Sequence, residues 1–303
     1  MIGNQFLEVR YSQFSRNENS HYKRGAMFMK LKYLGTAAAE GIPGMFCNCR
    51  VCRNALEVRG KEIKTRSQAL VDDKLLIDFP PDTYLHILNY GLDLRNIHHC
   101  IITHSHFDHL FPKDFWCRFA GIAYDIDEEP LNVYVTEAGY NEIFSQLGEQ
   151  ANNTRVKFHK IAPFEPFDIE DYHIIPLAAS HDPNSDPVIY IIEKGEKSLL
   201  YANDTGIFPK GTWEYLAKYN KKFNLVSLDC TGMAQKCWRD THLSLDTDKE
   251  VYDRLVEMGL CDSNTIAYVN HFSHNGQLTH KELVVEAEKY GFLATYDGLD
   301  VEF

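Results

Sequence analysis

Residues 103–109 read Thr-His-Ser-His-Phe-Asp-His, so three imidazoles and a carboxylate fall within six positions, directly after a short apolar stretch. Histidine is the commonest metal ligand near neutral pH, and aspartate supplies an anionic oxygen that zinc, manganese and iron accept. In extended chain, residues two apart face the same way, so His104 and His106 can approach one ion. A turn after them can direct Asp108 and His109 to a second ion. The motif predicts a metalloenzyme.

Size, charge and cysteine content narrow the class of protein. With 303 residues, 44% of them hydrophobic, the chain can bury a sizeable core, and no apolar stretch approaches the ~18 residues that span a bilayer. The net charge of -12 disfavours a polyanion such as DNA as the usual partner. The first residues lack the apolar core of a signal peptide, and eight cysteines without an export signal favour reduced thiols or metal ligands. We therefore expect a cytoplasmic protein with no membrane association.

Alternating apolar stretches predict strands, and stretches of helical periodicity lie between them. The predicted strands are residues 29–34, 68–71, 75–79, 98–102, 131–135, 156–161, 173–178, 188–192, 198–202, 225–228, 266–269 and 293–296. The predicted helices are residues 82–90, 113–120, 137–150, 213–219, 246–258 and 280–290. Thr279 and Glu282 are predicted to form a capping box, and Asp297-Gly298 a two-residue hairpin turn. The pattern predicts an α/β fold of two sheets flanked by helices, and residues 1–28 form an N-terminal extension of unknown role.

Three further polar side chains follow predicted strands, where an α/β scaffold places its chemistry. They are His181, Asp204 and His271. Each could instead be an exposed residue at a loop entrance, but the position that they share favours a common site. Two ions need more ligands than residues 104–109 supply, and a bridging carboxylate is the usual means of lowering the repulsion between two cations.

Cys47, Cys49 and Cys52 form a second dense cluster. Three thiolates fill three corners of a tetrahedron, and zinc then needs a fourth ligand. His274, three residues after His271, is the best candidate, provided that the C-terminal metal loop folds against the cysteine loop. Reduced cysteines without metal, or a labile redox trio, are the alternative. The spacing predicts one structural zinc site.

The order Asp78, residues 104–109, His181, Asp204 and His271 resembles the five motifs of the metallo-β-lactamase fold superfamily. The resemblance implies that residues 29–303 form a metallo-β-lactamase-like hydrolase domain. This domain would be a four-layer αββα sandwich with two metal ions at one edge. The resemblance also implies that one ion is held by His104, His106, His181 and Asp204, and the other by Asp108, His109, Asp204 and His271. Asp78 would orient a ligand. Histidine at position 106, where flavodiiron oxygen reductases have glutamate, argues for hydrolysis.

The cysteine cluster narrows the resemblance. A Cys-x-Cys-x-x-Cys after the first strand, with a distal histidine, is similar to that of the phosphodiesterases of the phosphonate-degradation (carbon-phosphorus lyase) pathway, which open phosphoribosyl 1,2-cyclic phosphate. Pyrroloquinoline-quinone biosynthesis B proteins have a similar loop. The 3′-tRNA-processing endonucleases carry a basic arm that is not seen here, so nucleic acid is not an expected partner. The resemblance implies a small phosphodiester substrate, two zinc or manganese ions at the active site, one structural zinc, and a homodimer.

The leading hypothesis is a dinuclear metal-dependent phosphodiesterase that opens a small cyclic phosphodiester with a metal-bridging hydroxide. Asp108 would help to orient that nucleophile. His242 is the candidate acid for the leaving alkoxide, although an incidental histidine in a helix-cap region is the alternative. The competing hypotheses are a quinone-cofactor biosynthesis protein, another metallo-hydrolase of this fold, and a zinc-binding module without catalytic activity.

Overall fold

A computed structural model describes residues 28–152, 154–236 and 239–303, so the predicted N-terminal extension falls, except for residue 28, outside the described residues. The strands are β1 (Lys30–Gly35), β2 (Gln68–Val71), β3 (Leu75–Ile77), β4 (His99–Ile101), β5 (Leu131–Val135), β6 (Val156–Lys160), β7 (Phe167–Ile169), β8 (Tyr172–Ala178), β9 (Val188–Lys194), β10 (Lys197–Ala202), β11 (Leu225–Asp229), β12 (Ile266–Asn270), β13 (Leu293–Ala294) and β14 (Leu299–Glu302). The α-helices are α1 (Arg50–Val58), α2 (Thr83–Tyr90), α3 (Glu137–Leu147), α4 (Lys210–Leu216), α5 (Leu245–Glu257) and α6 (His280–Lys289).

The strands form two sheets, in the orders β14-β1-β2-β3-β4-β5-β6 and β13-β12-β11-β10-β9-β8-β7. Strands β3 to β6 run parallel to one another, and so do β10 to β13. β8 points the same way as β10, because each is antiparallel to β9. The carboxyl ends of β8, β10, β11 and β12 therefore lie on one edge of the second sheet, where loops can place polar groups together.

Alternating side chains divide the core into layers. In β5, Leu131, Val133 and Val135 pack outward with Ile143 of α3, whereas Tyr134 packs against the cluster between the sheets. The core between the sheets includes Leu31, Ile77, Ile101, Ile174, Tyr190 and Leu199. The outer face of the second sheet packs against α1, α4, α5 and α6 through Ala55, Leu216, Leu255 and Leu283. Burying one such large aliphatic side chain stabilises the fold by about 1.5–3 kcal/mol. The layers confirm the predicted αββα sandwich.

The predicted hairpin at Asp297-Gly298 is wrong. β13 pairs with β12 in the second sheet, whereas β14 pairs with β1 in the first, so the turn joins two sheets. The Asp297 side chain is buried and accepts hydrogen bonds of 2.6 Å from Thr36 Oγ1 and from the backbone N–H of Thr65. These long-range contacts select the crossing, although the local sequence has the composition of a hairpin turn.

Other elements differ in type or extent. The cysteine loop continues into α1, which was not predicted, and residues 112–118 form a 3-10 helix where an α-helix was predicted. The short strands β7 and β14 were also missed. The capping box of Thr279 and Glu282 is confirmed at the start of α6. In the part of the chain that the structure describes, no helix has the length and apolar character needed to cross a membrane.

Candidate active site

The predicted ligands lie on loops that leave the carboxyl ends of strands in both sheets. Residues 104–109 follow β4, while His181, Asp204 and His271 follow β8, β10 and β12. Asp204 and His271 have positive φ angles of 49° and 63°, and Asp78, which follows β3, has a φ of 68°. This conformation is uncommon for residues other than glycine and costs on the order of 1–3 kcal/mol at strained sites. The chain therefore turns sharply where these side chains enter the space between the sheets.

Three imidazoles form the first half of the site. His104 Nε2 lies 3.0 Å from His106 Nδ1, which lies 3.1 Å from His181 Nε2. Asp204 Oδ1 lies 3.8 Å from His181 Nε2. Burial lowers the pKa of His104 well below its ordinary value, so its ring stays neutral and can offer a lone pair. Nitrogen atoms that converge in this way can hold a borderline cation.

The second half of the site is more deeply buried. Asp204 Oδ2 lies 2.8 Å from His109 Nε2 and 2.9 Å from His271 Nε2, and Asp108 Oδ2 lies 3.3 Å from His109 Nε2. Although these atoms lie close together, no hydrogen bond of acceptable geometry to a described residue is formed by Asp204 Oδ2, His109 Nε2 or His271 Nε2. Buried polar atoms are almost always paired, so atoms that converge on a common point without bonding fit a shared cation. The two oxygens of Asp204 face the two halves.

The charge of this cluster also fits a cation. Burial alone would raise the pKa of Asp204, but His271 and His109 hold it well below its ordinary value. Burial would lower the pKa of His271, yet Asp204 raises it to about 10. The buried carboxylate thus requires a positive charge beside it, which a proton on imidazole or a divalent ion can supply. Metal binding to such a site displaces the protons.

The outer nitrogens of the ligand imidazoles are held in place. His109 Nδ1 lies 2.7 Å from Asp78 Oδ2, and the backbone N–H of Thr103 donates to Asp78 Oδ1 at 2.8 Å. His271 Nδ1 lies 2.8 Å from Thr231 Oγ1. The remaining contacts join His181 Nδ1 to Thr241 O at 3.1 Å and His106 Nε2 to Asp182 Oδ2 at 3.3 Å. Partners of this kind fix ring orientation, which metal sites depend on. Asp78 therefore lies where the sequence analysis placed it.

Asp229 is a site residue that the sequence analysis missed. Its Oδ1 accepts hydrogen bonds of 3.0 Å from the backbone N–H groups of Thr231 and Leu243. Its Oδ2 accepts another of 3.0 Å from the N–H of Asp204 and lies 3.0 Å from His242 Nδ1. Asp229 is the last residue of β11, whereas the predicted strand ended at residue 228. The signal that pointed to Asp204, a polar residue at a strand end, would have found it.

His242 lies beside the metal-ligand cluster. Its ring centroid is 4.8 Å from that of His181 and 5.8 Å from that of His271. Burial alone would lower the pKa of His242, but Asp229 outweighs burial and raises it. The cap of α5 is Ser244, so His242 is not itself the capping residue. The structure therefore places an imidazole, paired with the Asp229 carboxylate, beside the predicted metal ligands.

Gly206 lets the His242 loop approach. A Cβ at this position would lie 2.1 Å from the carbonyl oxygen of Arg239 and 2.6 Å from the carbonyl carbon of Asp240. Gly206→Ala should therefore displace that backbone and destabilise the protein by about 1–3 kcal/mol, the usual cost of overpacking. Urea unfolding measures this change. Gly211→Ala, which meets only the ring of Phe164 at 3.3 Å, is the control. Equal stability of the two variants would contradict the argument.

The cysteine cluster and His274 come together as predicted. His274 Nδ1 lies 3.7 Å from Cys47 Sγ and 3.8 Å from Cys49 Sγ, and Cys52 Sγ joins them within 4.8 Å. Ligands of tetrahedral zinc with bonds of about 2.0–2.3 Å lie at similar separations. Glu40 accepts a hydrogen bond from Ser273 Oγ and lies 3.7 Å from His274 Nε2. The four residues fit a zinc ion.

Cys49→Ser should release one equivalent of zinc and lower stability by several kcal/mol, because metal-binding energy in such sites contributes to folding. It should also disturb His271, since residues 271–274 connect the two clusters. Elemental analysis and thermal unfolding measure both effects. Cys117→Ser, at an exposed cysteine outside the cluster, is the matched control. Unchanged zinc content in Cys49→Ser would rule out this metal site.

Comparison with known proteins decides the family. Residues 74–271, more than half of the chain, match the family model described as a beta-lactamase superfamily domain. The chain belongs to the beta-lactamase superfamily. Membership of this superfamily, with the two converging His and Asp clusters, supports a metal-dependent hydrolase.

Solved structures share the fold of this superfamily member. A diphosphatase from the PhnP family has a TM-score of 0.70 at 23% identity, over 91% of this chain and 98% of that one. Zinc-bound PqqB from Methylobacterium extorquens has a TM-score of 0.68 at 19% identity, over 90% and 99%. A curated relative, an octanoyltransferase from Porphyromonas gingivalis, is 27% identical over 158 residues, which are 50% of this chain and 31% of that protein. The chain thus matches about a third of that relative's length.

Proposed function

We propose that this chain hydrolyses a small phosphodiester, such as phosphoribosyl 1,2-cyclic phosphate, at a dinuclear metal centre. The observation that supports the proposal is the position of Asp204, whose two carboxylate oxygens face two separate ligand clusters. A second, independent support is the Asp229–His242 pair beside those clusters. A phosphodiester needs both parts, because charge develops on the phosphoryl oxygens and on the leaving oxygen.

The residues fit two divalent ions. His104, His106, His181 and Asp204 would hold one, and Asp108, His109, Asp204 and His271 the other. When bound, the ions would neutralise charge on the phosphoryl group and lower the pKa of water towards neutrality. Asp108, buried beside His109, would also help to orient the attacking water.

His242 acts on the leaving group in this proposal. Water adds to phosphorus and gives up one proton to solvent, the bond from phosphorus to the ester oxygen breaks, and the proton of His242 passes to that oxygen. His242 then regains a proton from solvent. Asp229 holds the imidazole through Nδ1, and in this proposal Nε2 is the atom that donates the proton. A general acid must carry a proton, and Asp229 favours the protonated form because it raises the pKa of His242 against the lowering effect of burial.

A panel of phosphodiesters tests the proposal. The purified protein, loaded in turn with zinc and manganese, is assayed with ribose 1,2-cyclic phosphate, nucleoside cyclic phosphates and linear diesters. Hydrolysis of a diester that depends on added metal supports the proposal. A fully metal-loaded protein that leaves every diester intact would overturn it and favour a cofactor-biosynthesis role or a zinc-binding module.

A further inference from the structure

A cavity of about 520 Å³ is lined by residues of the cysteine loop together with Phe107 and His274. Phe107 forms one wall, and it stands between His106 of one ligand cluster and Asp108 of the other. Met45 and Phe46, from the loop that carries the cysteines, also line the cavity. A volume of this size suits a small molecule. Through Phe107, the cavity borders the motif that carries four of the proposed metal ligands.

The walls of this cavity carry exposed apolar side chains. Phe46 is fully exposed, Met45 is 78% exposed and Phe107 is 54% exposed. Large apolar groups gathered at one opening mark a binding surface more often than scattered ones do. Aromatic rings offer flat faces, on which planar groups stack. The cavity is suited to a planar, largely apolar group.

The charges of the cavity disfavour a second phosphate. Arg66 lines it, but its Nη1 lies 3.1 Å from Asp82 Oδ1 and its Nε donates to Ala39 O at 2.8 Å. Its guanidinium is thus already paired, and only 13% of the side chain is exposed. Glu40, an acidic residue, also lines the cavity. Among the lining residues that the structure describes, no arginine or lysine is left unpaired to bind an anion.

We propose that this cavity binds the nucleobase of a nucleoside phosphodiester, and that the base stacks on Phe107 and contacts Phe46 and Met45. The inference rests on the proposed phosphodiesterase function and narrows its substrate class. Glu40 accepts hydrogen bonds, so it suits the exocyclic amino group of a base such as adenine. A phosphoribosyl substrate would instead place a charged phosphate against apolar walls and a carboxylate.

The cysteine cluster shapes the same cavity. Cys47 and His274 line it, and Met45 and Phe46 lie directly before Cys47 in the chain. A zinc ion held by the cysteines and His274 would therefore fix the wall that contacts the base. This gives the predicted zinc site a role in substrate selection as well as in folding.

Paired substrates test the proposal. Adenosine 2′,3′-cyclic phosphate and the base-free methyl riboside 2,3-cyclic phosphate are compared by steady-state kinetics in the metal-loaded protein. Stacking of one base on an aromatic side chain contributes about 1–3 kcal/mol, which is roughly 5- to 150-fold in affinity. We expect the KM of the wild-type protein to be about tenfold lower for the adenosine substrate. Phe46→Ala and Phe107→Ala should each remove most of that advantage, and Phe107→Tyr should keep it.

The control is Tyr124→Ala, which removes an exposed aromatic residue outside the cavity and should change neither KM. Metal content is measured for every variant, because Phe107 adjoins two predicted ligands. If both diesters are hydrolysed with equal KM and the variants do not separate them, the base pocket is refuted while the phosphodiesterase proposal stands.

If no diester is hydrolysed, the proposed function fails, and saturation-transfer NMR with adenosine decides the pocket separately. Transfer to the base protons that is strong in the wild-type protein and weak in Phe46→Ala supports it. Equal transfer in the two proteins, or none in either, overturns it.

Discussion

Asp204→Asn should abolish hydrolysis, with a fall in kcat on the order of 10³-fold or more. Asparagine has the shape of aspartate but no charge, and its nitrogen cannot bind a cation. The substitution therefore removes the one carboxylate that faces both ligand clusters. Two cations several ångströms apart repel each other strongly unless an anion lies between them. The loss of several kcal/mol of transition-state stabilisation corresponds to a thousandfold or more in rate.

Metal content separates this explanation from misfolding. Elemental analysis should show that Asp204→Asn loses metal from the dinuclear site and retains the zinc of the cysteine cluster. The matched control is Asp168→Asn. Asp168 lies 2.7 Å from His173 in an exposed Asp–His pair, and neither residue is a predicted metal ligand. The control should keep full activity and metal content. An Asp204→Asn variant with two bound ions and near-normal turnover would refute the bridging role.

The sequence predicts those site residues that can be recognised one at a time, from their residue type and their position after a strand. Residues 104–109 are dense in ligand groups, and His181, Asp204 and His271 each follow an apolar strand. Strand direction then brings them to one edge, whatever the details of the loops. The pattern of strands and helices likewise predicts two sheets flanked by helices, and the resemblance to the metallo-β-lactamase fold adds the αββα order of the layers.

The parts that escaped prediction depend on contacts between distant segments. The bond of Asp297 with Thr36 joins residues that are 261 positions apart, and it converts an apparent hairpin into a crossing between sheets. Asp229 stands at a strand end, as Asp204 nearly does, but its contacts with the backbone of Asp204 and the ring of His242 join segments that are distant in the sequence. The cavity formed by Phe46 and Phe107 exists only because the cysteine loop folds against the metal motif.

A short loop links the two clusters of predicted metal ligands. His271 and His274 lie three residues apart on one loop, yet one faces Asp204 and the other faces Cys47 and Cys49. The loop is held at both ends, so we expect a change at the cysteine cluster to alter the position of His271. A zinc ion bound there would in this way support the fold, the proposed substrate cavity and one predicted active-site ligand.

The His242→Ala variant should keep all of its metal. Its kcat should fall most for the substrates with the poorest leaving groups. General acid catalysis contributes about 10²- to 10⁴-fold when the departing oxygen is a basic alkoxide. A nitrophenolate departs without a proton, so its diester should lose less than about tenfold. The variant should leave the clusters of Asp204 intact, because neither of the two proposed ligand sets includes His242.

Activity on a series of diesters with different leaving groups, together with elemental analysis, tests this prediction. The pH dependence of kcat is an independent test. Burial alone would lower the pKa of His242, but Asp229 raises it, so the protonated imidazole is favoured and loses its proton as pH rises through the raised pKa. The wild-type kcat on alkyl diesters should fall above that pKa, and His242→Ala should lack this limb. His173→Ala, at the exposed pair with Asp168, should behave as wild type. Equal losses for all leaving groups, or loss of metal, would show that His242 supports the site instead of donating the proton.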